Sequence, residues 1–127
     1  MVDYNGVIIE ESLGDKDVLG KIKIIRTTVE DVIEKHKTPW VQRWTLHAVE
    51  VAEGQVDEIA EELSKALDSK HPWYADFKND AIHYIIFRNK IFKVDRSKPE
   101  QYDDVIKHGV ALGIPDYQLD FSPHIKR

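Results

Sequence analysis

The stretch WVQRWTLHAVEVA, residues 40–52, restricts the possible folds more than any other part of the sequence. Successive side chains of a β-strand point to opposite faces of the sheet, so this stretch has two faces to compare. One face carries Trp40, Trp44, Leu46 and Ala48, and the other carries Val41, Arg43, Thr45, His47, Val49 and Val51. Both faces are substantially apolar, which is typical of a strand inside a sheet and not of one at its border. The pattern therefore predicts that residues 40–52 form an interior strand.

Three further segments in the first half have recognisable periodicity. YNGVIIEESL predicts a first strand, and VLGKIKIIRTTVEDVI predicts a long second strand, with a short helix over residues 29–37 as the alternative. EGQVDEIAEELSKALDS predicts an amphipathic helix. Its apolar residues recur at helical spacing and are Val56, Ile59, Ala60, Leu63, Ala66 and Leu67.

The second half predicts a hairpin followed by a helix. AIHYIIFRNKIFKVD alternates on both sides of a turn, and a two-residue turn at Asn89-Lys90 would place Phe87 opposite Phe92. SKPEQYDDVIKHGVALGIP predicts the helix, with Ser97 and Glu100 at capping-box spacing and Gly113 as its stop. DYQLDF then adds either a short last strand or side chains that pack onto the sheet.

These elements follow one another as β-β-β-α-β-β-α, with a final short strand as an option. Most of the strands follow one another as hairpins, and the helices come later in the chain, which predicts an α+β domain. We expect an antiparallel or mixed sheet with both helices packed on one face. The length of 127 residues predicts a single domain, which we place at residues 1–121, with residues 122–127 as a C-terminal tail.

Composition excludes several classes of protein. The chain has no cysteine, so thiol catalysis, disulfides and iron–sulfur clusters are excluded. It has no apolar run of membrane-spanning length, and we expect a soluble cytoplasmic protein without a secretory signal. The net charge of −5 disfavours nucleic-acid binding. A single-stranded nucleic acid would have to use the basic and aromatic residues Lys35, Lys37, Trp40 and Arg43.

No recognised catalytic or phosphate-binding motif is present. The glycines fit neither the dinucleotide-binding nor the P-loop pattern, and no serine lies in a G-x-S-x-G sequence. We expect no cofactor and no metal, because isolated His and Asp residues without motif spacing are more often structural or solvated. His47 and Glu50 lie three residues apart, but on a strand they point to opposite faces.

The catalytic alternative rests on histidine–carboxylate pairs. His71, Asp76 and His83, together with His47, could assemble in three dimensions as a composite site. His71 with Asp76 would supply acid–base chemistry, and Arg43 would hold an anionic substrate, as in a small hydrolase or isomerase. The structural interpretation is that His47 is a hydrogen-bonded core histidine and that Arg43 pairs with an acid such as Asp76 or Asp80.

The longest connection in this scheme runs from Asp68 to Asp80 and contains HPWYADFKND. Connections of this length often form binding loops or lids. Trp73, Tyr74 and Phe77 would anchor it, leaving Asp76, Lys78 and Asn79 to face a ligand. Trp40 and Arg43 would form the opposite wall. In the structural interpretation, the aromatic residues close the end of the sheet and the polar residues are solvated.

The segments WYADFKND, HYIIFRNKIFKVDR and ALGIPDYQLDF, with HKTPWVQRWTLHAVEV, resemble a family of small uncharacterised prokaryotic proteins. The resemblance implies a compact single-domain unit and implies no activity, cofactor or catalytic residue. We therefore expect a non-catalytic binding or interaction module that recognises a small molecule or a protein partner around residues 68–80. A homodimer is part of this expectation.

Overall fold

The structure is a computed structural model that describes residues 3–31, 42–68, 70, 73–114 and 119. Within these ranges the chain forms one six-stranded sheet and two α-helices. The strands are β1 (Tyr4–Ile9), β2 (Lys23–Asp31), β3 (Arg43–Val51), β4 (Tyr74–Lys78), β5 (Ile82–Phe87) and β6 (Lys90–Asp95). The helices are α1 (Val56–Ala66), which follows β3, and α2 (Tyr102–Leu112), which follows β6.

The strand order across the sheet is β2-β3-β1-β4-β5-β6, and every neighbouring pair is antiparallel. The predicted α+β class is confirmed. β3 lies between β2 and β1, so the interior strand predicted over residues 40–52 is confirmed from Arg43 onward. Trp40 and Val41 lie outside the described residues.

The two helices lie on opposite faces of the sheet, which corrects the expectation that both share one face. Tyr84 and Ile86 of β5 belong to the core cluster that α1 covers, while Ile85 and Phe87 belong to the cluster that α2 covers. Side chains of a strand alternate between faces, so these neighbours must point in opposite directions. We call the two sides the α1 face and the α2 face. The apolar stripe of a helix shows that the helix packs against the sheet, but it does not show which face of the sheet the helix covers.

The predicted connection from Asp68 to Asp80 is wrong over Tyr74–Lys78, because these residues form the interior strand β4. β4 pairs with β1 and with β5, and its burial alternates: Ala75 and Phe77 are buried on the α1 face. Trp73 is buried and packs edge-on against Trp44 at 6.2 Å between ring centroids. Five residues with only two strong strand formers gave too weak a periodic signal to be recognised.

Close approach between β1 and β4 depends on Gly6. A Cβ atom added at Gly6 would lie 1.9 Å from the carbonyl oxygen of Asp76 and 2.8 Å from the Phe77 ring. Only glycine leaves room for the neighbouring backbone at this point.

The β5–β6 hairpin has a two-residue turn, but it is formed by Arg88-Asn89 and not by Asn89-Lys90. Phe87 pairs with Lys90 and Ile85 pairs with Phe92. Asn89 takes a left-handed backbone conformation with φ of 61°, which asparagine tolerates better than most residues. The register differs from the prediction by two residues, and a shift of two preserves the predicted faces.

Helix α2 ends as predicted and begins differently. Gly113 has a φ of 100°, and the amide of Ile114 donates to the carbonyl of Gly109. The predicted capping box is absent: the Ser97 hydroxyl donates to Asp95, and a short 3₁₀ turn at Pro99–Gln101 precedes the helix.

The possible last strand lies outside the described residues except for Leu119, which is fully buried beside Gly109. Residues 122–127 also lie outside them. Neither described helix has the length and apolar character needed to cross a bilayer.

Candidate functional site

The structure separates the residues predicted to line one site. Tyr74, Asp76 and Lys78 point to the α2 face of β4, and each is partly buried. Asn79 belongs to the β4–β5 turn, where its side-chain oxygen accepts hydrogen bonds of 2.8 Å from the amides of Ala81 and Ile82. Trp40 and His71 lie outside the described residues.

The composite site of Asp76 and His83 with His47 does not form, because the sheet lies between its parts. His47 pairs with Ile8 on the α1 face, whereas Asp76 pairs with Val7 on the α2 face. Adjacent residues of β1 point to opposite faces, so the two side chains cannot meet. Asp76 and His83 do come together, on the α2 face.

Arg43 is exposed at the start of β3, so burial does not force it to pair with an acid. Neither Asp76 nor Asp80 is its partner, since Asp76 bonds to His83 on the other face and Asp80 follows β4, beside the end of β3 and not its start. Arg43 lies opposite Asp31 of β2 in the sheet register. The two residues, with Glu11 and Gln42, line an open depression of about 440 Å³.

His47 forms a hydrogen-bonded cluster with Thr27 and Glu10, which we call the His47 cluster. The Thr27 hydroxyl lies 2.8 Å from His47 Nδ1, and Glu10 Oε1 lies 3.1 Å from His47 Nε2. A neutral imidazole with its proton on Nε2 satisfies both contacts, because Nδ1 then accepts from the hydroxyl. Lys16 lies 3.8 Å from the other Glu10 oxygen. The histidine is buried, while Thr27 is exposed on β2.

The segment that follows β1 places the carboxylates of Glu10 and Glu11 over β3. Residues Glu10–Ser12 form a 3₁₀ turn, and the Ser12 hydroxyl closes it by donating to the carbonyl of Ile9. Glu11 then receives the amide of Thr45 at 2.6 Å and its hydroxyl at 2.8 Å. Burial raises the pKa of Glu11, but these hydrogen bonds from Thr45 outweigh it and hold the pKa below its usual value. The carboxylate thus occupies the place of a strand partner where β1 has ended.

A second chain of polar groups, the His83 cluster, links Asp76, His83 and Tyr102 on the α2 face. His83 Nε2 lies 2.7 Å from Asp76 Oδ2, and His83 Nδ1 lies 2.9 Å from the Tyr102 hydroxyl. His83 and Tyr102 are buried, and Asp76 is partly exposed. Burial raises the pKa of Tyr102, although Arg96 offsets part of the rise. With its proton on Nε2, the His83 imidazole donates to Asp76 and accepts from the Tyr102 hydroxyl, so this cluster ties α2 to the sheet.

Sequence reasoning missed Glu10, Thr27 and Tyr102. The three lie in different elements, and no spacing along the chain links them to a histidine. The register of β2 on β3, which places Thr27 opposite His47, is a tertiary fact that the sequence alone does not specify.

The most exposed described element is β2, at the border of the sheet. All nine of its residues are exposed, and Ile25 and Val29 each keep 56% of their surface accessible. Within the described ranges β2 pairs with β3 alone. A β-bulge at Ile25 interrupts the register between Ile24 and Arg26.

No group of three or more histidine, aspartate or glutamate residues in the described ranges is arranged to hold a metal ion. Comparisons with protein-family models, with curated proteins and with solved structures found no match to this chain. The resemblance to a family of small uncharacterised proteins therefore stays a prediction.

Proposed function

We propose that this chain is a non-catalytic interaction module that binds an extended segment of a protein partner along the edge of β2. The observation that carries the proposal is that all nine residues of β2 are exposed, including the apolar residues Ile24, Ile25 and Val29. The proposal keeps the expected class of function and moves the binding surface away from residues 68–80, where Tyr74–Lys78 form an interior strand.

The physical basis is strand addition. The outer edge of a terminal strand presents backbone N–H and C=O groups that another strand can pair with, and side chains on alternate positions give the contact its selectivity. Proteins usually protect such edges with short strands or with inward-pointing charges. β2 is nine residues long, and the exposed apolar side chains of Ile24, Ile25 and Val29 would gain from being covered.

A peptide selection tests this proposal. A phage-displayed library of random nine-residue peptides is selected on the wild-type protein and on two variants, Val29→Lys and Val110→Lys. Val110 is the matched control, because it is a similarly exposed valine (49%) on α2, away from the edge. We expect enriched peptides to bind the wild type and Val110→Lys alike and to bind Val29→Lys at least tenfold more weakly, since a lysine at an edge opposes pairing. Absence of enrichment on protein that is monomeric under the selection conditions, or equal loss in both variants, would refute the proposal.

A second candidate function is a small hydrolase, favoured by the geometry of the His47 cluster. The exposed Thr27 hydroxyl could attack an ester carbonyl while its proton passes to His47 Nδ1, and Glu10 would stabilise the resulting imidazolium. The imidazolium then gives this proton to the departing alcohol, which leaves the acyl group as an ester on Thr27. Water, deprotonated by His47, attacks this ester, and the carboxylic acid departs as Thr27 regains its proton. Arg43 lies on the same face of β3 and would bind an anionic part of the substrate.

This candidate is tested with a panel of nitrophenyl esters of short carboxylic acids. Turnover must be abolished in both Thr27→Val and His47→Gln and be retained in Thr28→Val, whose side chain lies on the opposite face. Turnover that survives in Thr27→Val, or its absence in the wild type, excludes the hydrolase.

A further inference from the structure

We infer that the strand that pairs with β2 is β2 of a second copy of this chain, which makes the protein a symmetric dimer with a continuous twelve-stranded sheet. The inference rests on the proposed binding at this edge and names its partner. Symmetric dimers use the same patch on both subunits, so the patch must be complementary to itself. The sequence of β2, KIIRTTVED, has this property.

Self-complementarity follows from the positions of opposite charges along the strand. When two copies pair antiparallel about a two-fold axis through Thr28, Arg26 of each copy lies opposite Glu30 of the other. The axis produces this ion pair twice. Arg26, Thr28 and Glu30 are all exposed and share the α2 face, as their alternate positions require.

The remaining positions fit the same register. Thr28 faces its own counterpart, and threonine pairs across strands are favourable. On the α1 face Thr27 lies opposite Val29, so the exposed valine becomes covered. The paired segment is Arg26–Glu30, and it ends where the bulge at Ile25 bends the strand.

An axis through Thr27 gives the neighbouring symmetric register, and it fits less well. It would place Arg26 opposite Thr28 and would leave both Arg26 and Glu30 without an opposite charge. It would also carry the pairing across the bulge at Ile25, where the backbone departs from a regular ladder. The register centred on Thr28 avoids both problems.

Charge reversal at the two ion-pair positions tests the inference directly. Arg26→Glu and Glu30→Arg are made separately, each with circular dichroism to show that it is folded. Either variant alone would place like charges opposite each other at two positions. Opposite-charge cross-strand pairs are stabilising and like-charge pairs destabilising, so we expect each variant to dimerise roughly tenfold or more weakly than the wild type.

Mixing the two variants supplies the decisive measurement. In a mixed dimer the glutamate introduced by Arg26→Glu faces the arginine introduced by Glu30→Arg, and the unchanged Glu30 of the first chain faces the unchanged Arg26 of the second. Both positions then hold opposite charges, so the 1:1 mixture must regain the dimer mass that neither variant reaches alone. Sedimentation equilibrium over a range of protein concentrations gives the mass. Lys107→Glu is the control for the change in net charge, because Lys107 is exposed on α2, and this variant must dimerise like the wild type.

Three results would overturn the inference: a monomeric wild type at all concentrations tested, dimerisation of the single variants equal to wild type, or a mixture that stays monomeric. Its failure is distinguishable from failure of the proposed function. A monomeric wild type that still binds selected peptides in a Val29-dependent way overturns the self-pairing alone. A monomer that binds no peptide overturns both.

Discussion

Replacing Gly6 by alanine should destabilise the protein strongly, although the sequence alone suggests the opposite. Alanine in a strand is normally favoured over glycine by about 0.5–1 kcal/mol, because glycine loses more backbone entropy on folding. In the structure, however, the added Cβ would lie 1.9 Å from the carbonyl oxygen of Asp76, where real Cβ atoms essentially never come within 3.0 Å. The obstacle is backbone of an adjacent strand, so no side-chain rotation relieves it.

The magnitude follows from how far β1 and β4 must separate. Moving the strands apart by about 1 Å would take the nearest one or two hydrogen bonds out of bonding geometry, at about 1 kcal/mol each. Overpacking against Phe77 adds about 1–3 kcal/mol. After subtraction of the entropic gain, the expected loss in the free energy of unfolding is about 2–3 kcal/mol. For a chain of this size this corresponds to a fall in Tm of roughly 10 °C.

Thermal and urea denaturation followed by circular dichroism measure the change. Gly54→Ala is the matched control, since a Cβ added there meets nothing within 4 Å. It should raise stability by about 0.4–1 kcal/mol. A Gly6→Ala protein that melts at or above the wild-type temperature would refute the close approach of β1 and β4.

Two further predictions concern pH. The pKa of Glu11 is lowered in the folded state, so the stability it contributes is present above its unfolded pKa and is lost as the pH falls through the folded value. Glu11→Gln should therefore cost about 1–2 kcal/mol at pH 7, and pH-dependent melting curves of the variant and the wild type should converge in acid. Burial lowers the pKa of His108, which packs between Phe87 and Phe92, so the unfolded chain takes up a proton first and stability falls as the pH drops below the unfolded pKa. His108→Phe should remove that part of the acid sensitivity, and equal slopes of Tm against pH in both proteins would contradict the burial of this ring.

Elements with long or strong periodicity could be predicted from the sequence. The apolar stripe of α1 and the glycine stop of α2 were recognised correctly, as was the interior position of β3. Each of these features can be detected in a short stretch of sequence, because the residues buried on one face recur with the period of the helix or strand. β4 was not predicted because a strand of five residues is too short to show a clear alternation of buried and exposed side chains.

The candidate site was less predictable. The predicted composite site contained Asp76 and His83, which do form a hydrogen bond, but His47, its proposed additional member, lies across the sheet. Its actual partners, Glu10 and Thr27, were not identified. Side chains far apart in the chain meet through strand order and register, and no local pattern encodes either of these.

The sequence by itself determined the class of the domain, most of its strands and helices, and the self-complementary order of charges along β2. Only the tertiary structure decided that the helices lie on opposite faces, that β2 forms the border of the sheet, and which carboxylate meets which histidine. The physical reason is that periodicity reports whether a side chain is buried, whereas the identity of its neighbour depends on how separate strands align.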